Sequence, residues 1–258
     1  MSKVKNVVKV MNIHSLLRVD KSRKTADKFL ATEKELTLLI DQIFFNENLN
    51  LDKKIIKPNE NGTILNIYIG NDLGFCGNFN SSVSHYLKKD DYSEKIVIGR
   101  KINYPEEKCL LKIDKEDFKD YINKIESIIY NLLHDKKCKE INVIYNHYHN
   151  INEFEFKKAQ LFPVELVSED IASNDFVIES NINDIFIKII TLYICYEIEM
   201  LEQNSFAAEN IMRQKITDES LRKIDEREAE AKMEERKQKN YEKFKKQLED
   251  LRYIEKGE

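Results

Sequence analysis

The segment Gly70-Asn-Asp-Leu-Gly-Phe-Cys-Gly-Asn-Phe-Asn80 gathers residues that could cradle a phosphate or supply a nucleophile. It follows a strand-like run, Ile64 to Ile69, and precedes Phe79 to Lys89, which can form a helix. That is where an open α/β sheet binds dinucleotides. The glycines are spaced G-x3-G-x2-G, however, not GxGxxG, and no Gly-Lys-Ser/Thr closes a Walker loop. The favoured reading is a loop with Gly74 and Gly77 at positive φ or in close backbone contact. Cys76 needs a neighbouring base to become a thiolate. His85 is the nearest histidine in sequence, and nothing fixes its position, so a packed structural cysteine is favoured. His147 and His149 stand two apart in Tyr145-Asn-His-Tyr-His149. On a strand they share a face and could begin a metal site. No ligand cluster completes it, which leaves surface histidines. The carboxylates of the C-terminal segment are mixed evenly with lysines and read as a solvated helix face. There is no Ser-His-Asp pattern and no HExxH. The expectation is no catalytic, cofactor or metal site.

The elements that carry these residues are marked out by glycine and proline. Three prolines and six glycines occur in the chain, and all except Gly257 lie between Pro58 and Pro163. Both types disfavour helix interiors, by about 1 and 3 kcal/mol, and both punctuate turns. The order is therefore helix, turn-rich domain, helix, with expected boundaries at 1–57, 58–180 and 181–258. In the first segment Val7, Val8, Val10, Met11, Leu16, Leu17 and Val19 recur near helical spacing, and Leu36, Leu39, Ile40, Ile43 and Phe44 continue it. The polar run from Asp20 to Lys28 reads as a solvated stretch of the same helix.

No breaker interrupts Asn183 to Ile254. At about 1.5 Å per residue this helix approaches roughly 100 Å. Its early part, Ile185 to Ile194, is apolar on several faces and so packs against more than one neighbour. Its last part thins to a seam, Tyr241, Phe244, Leu248 and Leu251, with coiled-coil spacing. Acid–base pairs three or four apart, such as Asp225 with Glu228 against Lys232, add modest support. So long a helix needs a partner along its length. The shorter N-terminal helix cannot cover all of it, so one end should project or dock into another protein. Between the helices, strands at 64–69, 94–98, 109–113, 141–145 and 153–162 and the amphipathic helix Asp117 to Leu133 indicate a small, mostly parallel sheet.

Charged residues make up 34% of the chain, above the usual quarter, and such an excess fits long solvated helices. The net charge of −4 offers no global basic field for nucleic acid. No apolar run approaches the roughly 20 residues of a membrane span, and the N-terminus lacks a secretory pattern. Cys76, Cys109, Cys138 and Cys195 have no CxxC spacing and read as reduced thiols of a cytosolic protein.

Set beside known families, GNDLGFCGNFN resembles the S-D-x-G-L-C-G-G-x-N signature of the gamma subunit of F-type ATP synthases. Gly74, Cys76, Gly77 and Asn80 match, with Asn78 in place of a glycine and Phe75 in place of leucine. VVKVMNIHSLLRV (7–19) is similar to that family's I-T-K-A-M-x-M-V-A-A-x-K-L-R, with Lys9, Met11, Leu17 and Arg18 in or near register. Leu161-Phe-Pro163 resembles its Leu-x-Pro turn. The stretch from Ser205 to Thr217 and Asp218 resembles a degraded form of its S-E-x-A-A-R-M-x-A-M-x-x-A-T-D-N-A motif. The likeness covers most of residues 5 to 220. It implies a long antiparallel coiled coil of the two terminal helices with a small Rossmann-like α/β domain. It also implies a non-catalytic rotor shaft inside a ring of alpha and beta subunits, where ATP chemistry occurs. An epsilon-like subunit and a membrane rotor ring would meet the α/β domain, at the cytoplasmic face of the membrane. Lys9, Met11, Gly74, Cys76, Gly77, Asn80, Thr217 and Asp218 become the expected structural or subunit-interface positions.

The chain departs from the family after Thr217, where an apolar tip is replaced by a highly charged tail. An alternative register places Arg213 to Glu219 on the family's R-Q-A-x-I-T-x-E stretch, with an extension beyond. The tail and the weakened motifs point to a divergent shaft in a motor that hydrolyses ATP for other work, such as motility or transport. Two other readings stay open: a static coiled-coil scaffold with an α/β head, and a small nucleotide-dependent enzyme using the 70–80 loop.

Overall fold

A computed structural model describes residues 2–102, 108–150, 153–166 and 181–254, with side chains described as far as residue 248. Its elements follow the glycine and proline map. Helix α1 spans Ser2–Phe45 and helix α4 spans Ile182–Ile254. Between them lie β1 (Thr63–Ile69), α2 (Ser81–Lys88), β2 (Glu94–Ile98), β3 (Cys109–Ile113), α3 (Phe118–His134), β4 (Cys138–Asn150) and β5 (Glu153–Phe162). Helix α1 stops a dozen residues short of Pro58. Past Phe45 the chain turns at once, with Asn46 Oδ1 accepting from the Asn48 N–H at 2.9 Å. That side-chain bond offers the backbone an alternative to the next helical turn.

The chain divides into two compact units, Met1–Ile13 with Gln214–Glu258, and His14–Arg213. The larger unit contains the sheet, ordered β3-β2-β1-β4-β5. β1, β2, β3 and β4 pair in parallel, and β5 returns antiparallel along β4. Alternation sorts the strand residues onto two faces. Leu65, Ile67 and Ile69 of β1 join Ile96, Ile98, Ile141 and Val143 in the main core, with Ile125 and Ile129 of α3, Ile40 and Ile43 of α1, and Phe186, Ile190 and Ile194 of α4. Tyr68, Val97 and Ile144 face the other way, onto Val83 and Leu87 of α2. The early part of α4 is buried on several sides because it meets sheet, α3 and α1 together. In this unit α1 and α4 run antiparallel: Phe29 meets Tyr196 edge-on with centroids 5.9 Å apart, and Phe44 stacks on Phe186 at 6.5 Å.

In the smaller unit the same two helices pair again. Asn12 Nδ2 donates to Thr217 Oγ1 at 3.0 Å, to Asp218 Oδ1 at 2.7 Å and to the Gln214 carbonyl at 3.3 Å. Lys5 bonds Asp225, and Glu228 at 2.9 Å. The expected attraction of Asp225 and Glu228 toward Lys232 gives way to this contact across the helices, which brings two carboxylates to one ammonium. Beyond Glu228 every described side chain of α4 is exposed, through residue 248. The projecting end expected from the length mismatch is therefore the C-terminal end of α4. Among the described residues, no helix is long and apolar enough to cross a membrane.

Candidate functional site: a loop locked to a helix

The 70–80 loop leaves the C-terminal end of β1, the edge where open α/β sheets bind ligands. Here it is tied down from both sides. Gly99, at φ 121°, sits so close that a Cβ would come within 2.9 Å of the Gly70 carbonyl carbon, so the β1 and β2 ends can cross only with glycine there. Asp72 is buried and accepts backbone N–H bonds from Arg100 at 2.6 Å and Lys115 at 2.8 Å, pinning the ends of β2 and β3 to the loop. Asn80 donates to Asn71 Oδ1 at 2.7 Å, and Asn146 of β4 donates to the Phe79 carbonyl at 2.7 Å. Gly77 has φ 52°, as expected. Gly74 does not: the left-handed residue beside it is Phe75, at φ 61°, and a Cβ on Gly74 would meet only the end of the Lys101 side chain at 3.4 Å.

The underside of the loop is closed by charge. Glu202, Glu209 and Arg213 recur at seven and four residues on α4, which places them on one helix face. All three side chains are buried, as is the side chain of Lys115. Arg213 Nη2 donates to Glu209 Oε1 at 2.5 Å, Nη1 to Asn210 Oδ1 at 2.7 Å and Nε to the Gly74 carbonyl at 3.3 Å. Lys115 Nζ lies 3.4 Å from Glu209 Oε2, 3.5 Å from Glu202 Oε1 and 3.3 Å from the Gly70 carbonyl. Burial pushes Glu202 up against the pull of Lys115. Two cations thus face two carboxylates, and the spare donors close on loop carbonyls. Buried ions persist only with such pairing.

Cys76 belongs to this lock. It packs with Phe79 and Ala208, and its Sγ faces the Gly74 carbonyl at 3.4 Å and the Glu209 carbonyl at 3.9 Å. His85 is not among its hydrogen-bond partners. Burial pushes the Cys76 thiol up, away from the thiolate a nucleophile needs. The packed-cysteine reading holds. His147 and His149 do share a face of β4, with ring centroids 4.8 Å apart. His147 bonds the Tyr145 hydroxyl at 3.0 Å and His149 pairs with Glu155 at 2.9 Å. Among the described residues no group of three or more His, Cys, Asp or Glu is placed to hold a metal.

Of the eight positions singled out in the sequence, Gly74, Cys76, Gly77 and Asn80 come together in the locked loop. Thr217 and Asp218 come together on Asn12, with Met11 half-buried beside it in sequence and Lys9 exposed. The sequence reading missed Lys115, Glu202, Glu209, Arg213 and Asn12. It took the α4 carboxylates as one solvated face, and the structure corrects this: Glu197, Glu202 and Glu209 are buried. The available signal was the seven-and-four spacing of Glu202, Glu209 and Arg213, which puts three charges on one face of a helix whose preceding stretch is apolar on several faces.

The arrangement ties the loop at the end of β1 to a long helix through paired, buried charges. The sequence profile of the ATP synthase family matches residues 1–241. The ATP synthase gamma chain of Clostridium perfringens is 24% identical over 240 residues, covering 86% of this chain and 83% of that protein. The chain belongs to the ATP synthase gamma-chain family. The gamma chain of Mycoplasma mobile is 31% identical over 163 residues, covering 57% of each. In fold the chain is similar to a central-stalk chain of the Tetrahymena thermophila mitochondrial ATP synthase, with a TM-score of 0.60 at 15% identity, covering 83% of this chain and 99% of that one. This family supplies the non-catalytic central shaft of F-type rotary ATPases, with catalysis on the alpha and beta subunits.

Proposed function

We propose that this gamma-family chain turns as the axle within a ring of alpha and beta ATPase subunits. The observation that carries the reading is the family match across both helices and the sheet, joined to the charge lock that fixes the 70–80 loop to α4. An axle must pass torque between its α/β domain and its helices without slipping. A lock of four buried charges and several loop carbonyls resists shear better than an apolar contact, because sliding strands each ion without its partner. Lys9 and the exposed apolar residues Val4, Val7 and Val10 of α1 are offered as contacts to the ring. In this reading an epsilon-like subunit and a membrane rotor ring meet the α/β domain, which places the complex at the cytoplasmic face of a membrane.

The test is co-purification followed by rotation. The full chain is expected to purify in fixed stoichiometry with a hexamer of nucleotide-binding subunits, and a bead on the α/β domain should turn when ATP is added. A stable monomer without partners, or a complex in which the bead never turns, would favour the static scaffold. Calorimetry on the isolated chain is expected to show no nucleotide binding, which removes the small-enzyme reading.

The charged tail favours a finer reading, in which the motor runs by hydrolysis and drives work other than ATP synthesis. Proton-driven ATP synthesis by the reconstituted complex would refute it.

A further inference from the structure

Between α1, the start of α3 and α4 lies a cavity of about 400 Å³, lined wholly by residues of the larger unit. Helix α1 contributes Arg18, Lys21, Ser22 and Thr25, which recur at helical spacing and so share one face. Helix α3 contributes Lys119 from its first turn, and the cap residue Asp117 gives that turn no side-chain bond. The opposite wall is the charge lock of Lys115, Glu202 and Glu209, with Asp72 beside it. The charges around this space are unequally engaged. Both oxygens of each buried carboxylate have a donor. Those of Asp72 face the Arg100 and Lys115 N–H groups, those of Glu209 face Arg213 and Lys115, and those of Glu202 face Lys115 and Gln203. By contrast, among the described residues no hydrogen bond or ion pair holds the side chain of Arg18, Lys21 or Lys119. Ser22 is only 2% exposed, and its hydroxyl likewise has no partner there. Burial makes an unmet hydroxyl costly, and an acceptor that enters the cavity relieves it.

We infer that this cavity binds a small anion bearing one phosphate group, held by Arg18, Lys21, Lys119 and the Ser22 hydroxyl. The groups left unmet are all donors: a guanidinium fork, two ammoniums and one hydroxyl. Phosphate suits that set, since Arg takes two of its oxygens at once and each Lys adds a point charge. The first-turn amides of α3 add the positive end of a helix dipole on the same side. A nucleotide suits it less, because a polyphosphate chain would carry its further charges toward Glu116 and Glu202 on the other side of the same cavity. Once bound, the anion ties α1 to α3 across the cavity, next to the lock. The site goes beyond the axle reading and does not depend on it, because every group belongs to this chain.

The experiment titrates the full chain with inorganic phosphate and with glycerol 3-phosphate in a calorimeter at low ionic strength, and follows hydrogen exchange along α1. Saturable binding is expected, weaker as sodium chloride rises, with exchange slowed around Arg18 to Thr25. R18Q/K21Q should weaken binding about tenfold or more, and K119Q and S22A about threefold each. S22A leaves every charge in place, so its loss separates a built site from a diffuse positive surface. Arg18, Lys21 and Lys119 are exposed and Ser22 loses a single oxygen, and circular dichroism checks that each variant folds. K88Q/K101Q alters a second cavity, beside the 70–80 loop, and should bind as the wild type does. Tighter binding of inorganic phosphate assigns the site to the free ion, and tighter binding of glycerol 3-phosphate to a phosphorylated metabolite; either supports the inference. Absence of saturable binding overturns it. So does a loss in K88Q/K101Q with R18Q/K21Q unchanged, or binding only to vesicles of phosphatidic acid. Each of these failures leaves the axle standing, because that reading is tested by assembly with the ring and by rotation.

Discussion

Helix α4 is one unbroken element with two contrasting stretches. From Phe186 to Arg213 it is packed on several sides, and even its charged residues Glu197, Glu202, Glu209 and Arg213 are buried. From Ala229 to Leu248 every side chain is exposed, including Tyr241 and Phe244. Both stretches contain glutamates at helical spacing. What separates them is the company they keep: sheet, α3 and α1 in the first, no other described element of the chain in the second. The environment, not the residue type, decides whether a carboxylate on this helix is a structural ion or a solvated one.

The largest expected effect lies in the buried stretch. Glu209→Ala strips Arg213 and Lys115 of a shared partner, and breaking a buried pair from one side costs about 3–5 kcal/mol. The denaturant midpoint should fall accordingly. A loss below about 1 kcal/mol would mean that the lock is not holding the loop, and the contrast between the stretches would dissolve.

Next comes a pH effect. Burial, with Glu33 nearby, pushes Glu197 up to about 7 from an ordinary 4.5. Between those values the folded chain holds a proton that the unfolded chain releases, so stability falls as pH rises from about 4.5 to about 7 and is level above that. The loss is on the order of 3 kcal/mol. Glu197→Gln should abolish this slope. The variant is expected to match the wild type near pH 4 and to be the more stable form near pH 8, measured by unfolding at both. A slope that survives the substitution would assign the titration to another group.

A smaller effect is expected where α1 and α4 first pair. Asn12→Ala removes three hydrogen bonds around the buried Thr217, and about 1–2 kcal/mol should go with them. Hydrogen exchange should quicken near Thr217 and stay unchanged in the sheet. The smallest effect belongs to the tail: Phe244→Ala should shift the stability of the free chain by less than about 0.5 kcal/mol. A larger loss would show that the exposed seam has a partner within the chain after all.

The parts of this architecture that depend on local chemistry were legible in the sequence. Each expected strand and helix is present, because Gly and Pro act on the backbone within a few residues, although the strand expected at 141–145 runs from Cys138 to Asn150. The first helix ran too far, to 57 in place of Phe45, since nothing in its periodicity marks the Asn46 turn. The candidate site was half legible. Gly77 and Cys76 stood out by type, whereas Lys115, Glu202 and Arg213 looked like any charged residues on a helix. Their role comes from contacts across 94 residues of sequence between Lys115 and Glu209 and 139 between Gly74 and Arg213.

By itself the sequence determined that two long helices bracket a small sheet and that the second outruns the first. These follow from helix propensity, length and residue spacing, which are properties of short stretches. Only the tertiary structure decided which charges are buried, which glycine turns left-handed, and that Asp225 and Glu228 reach across to Lys5 rather than along to Lys232. Those outcomes depend on desolvation and on distance between elements far apart in the chain, and neither quantity is written in local spacing.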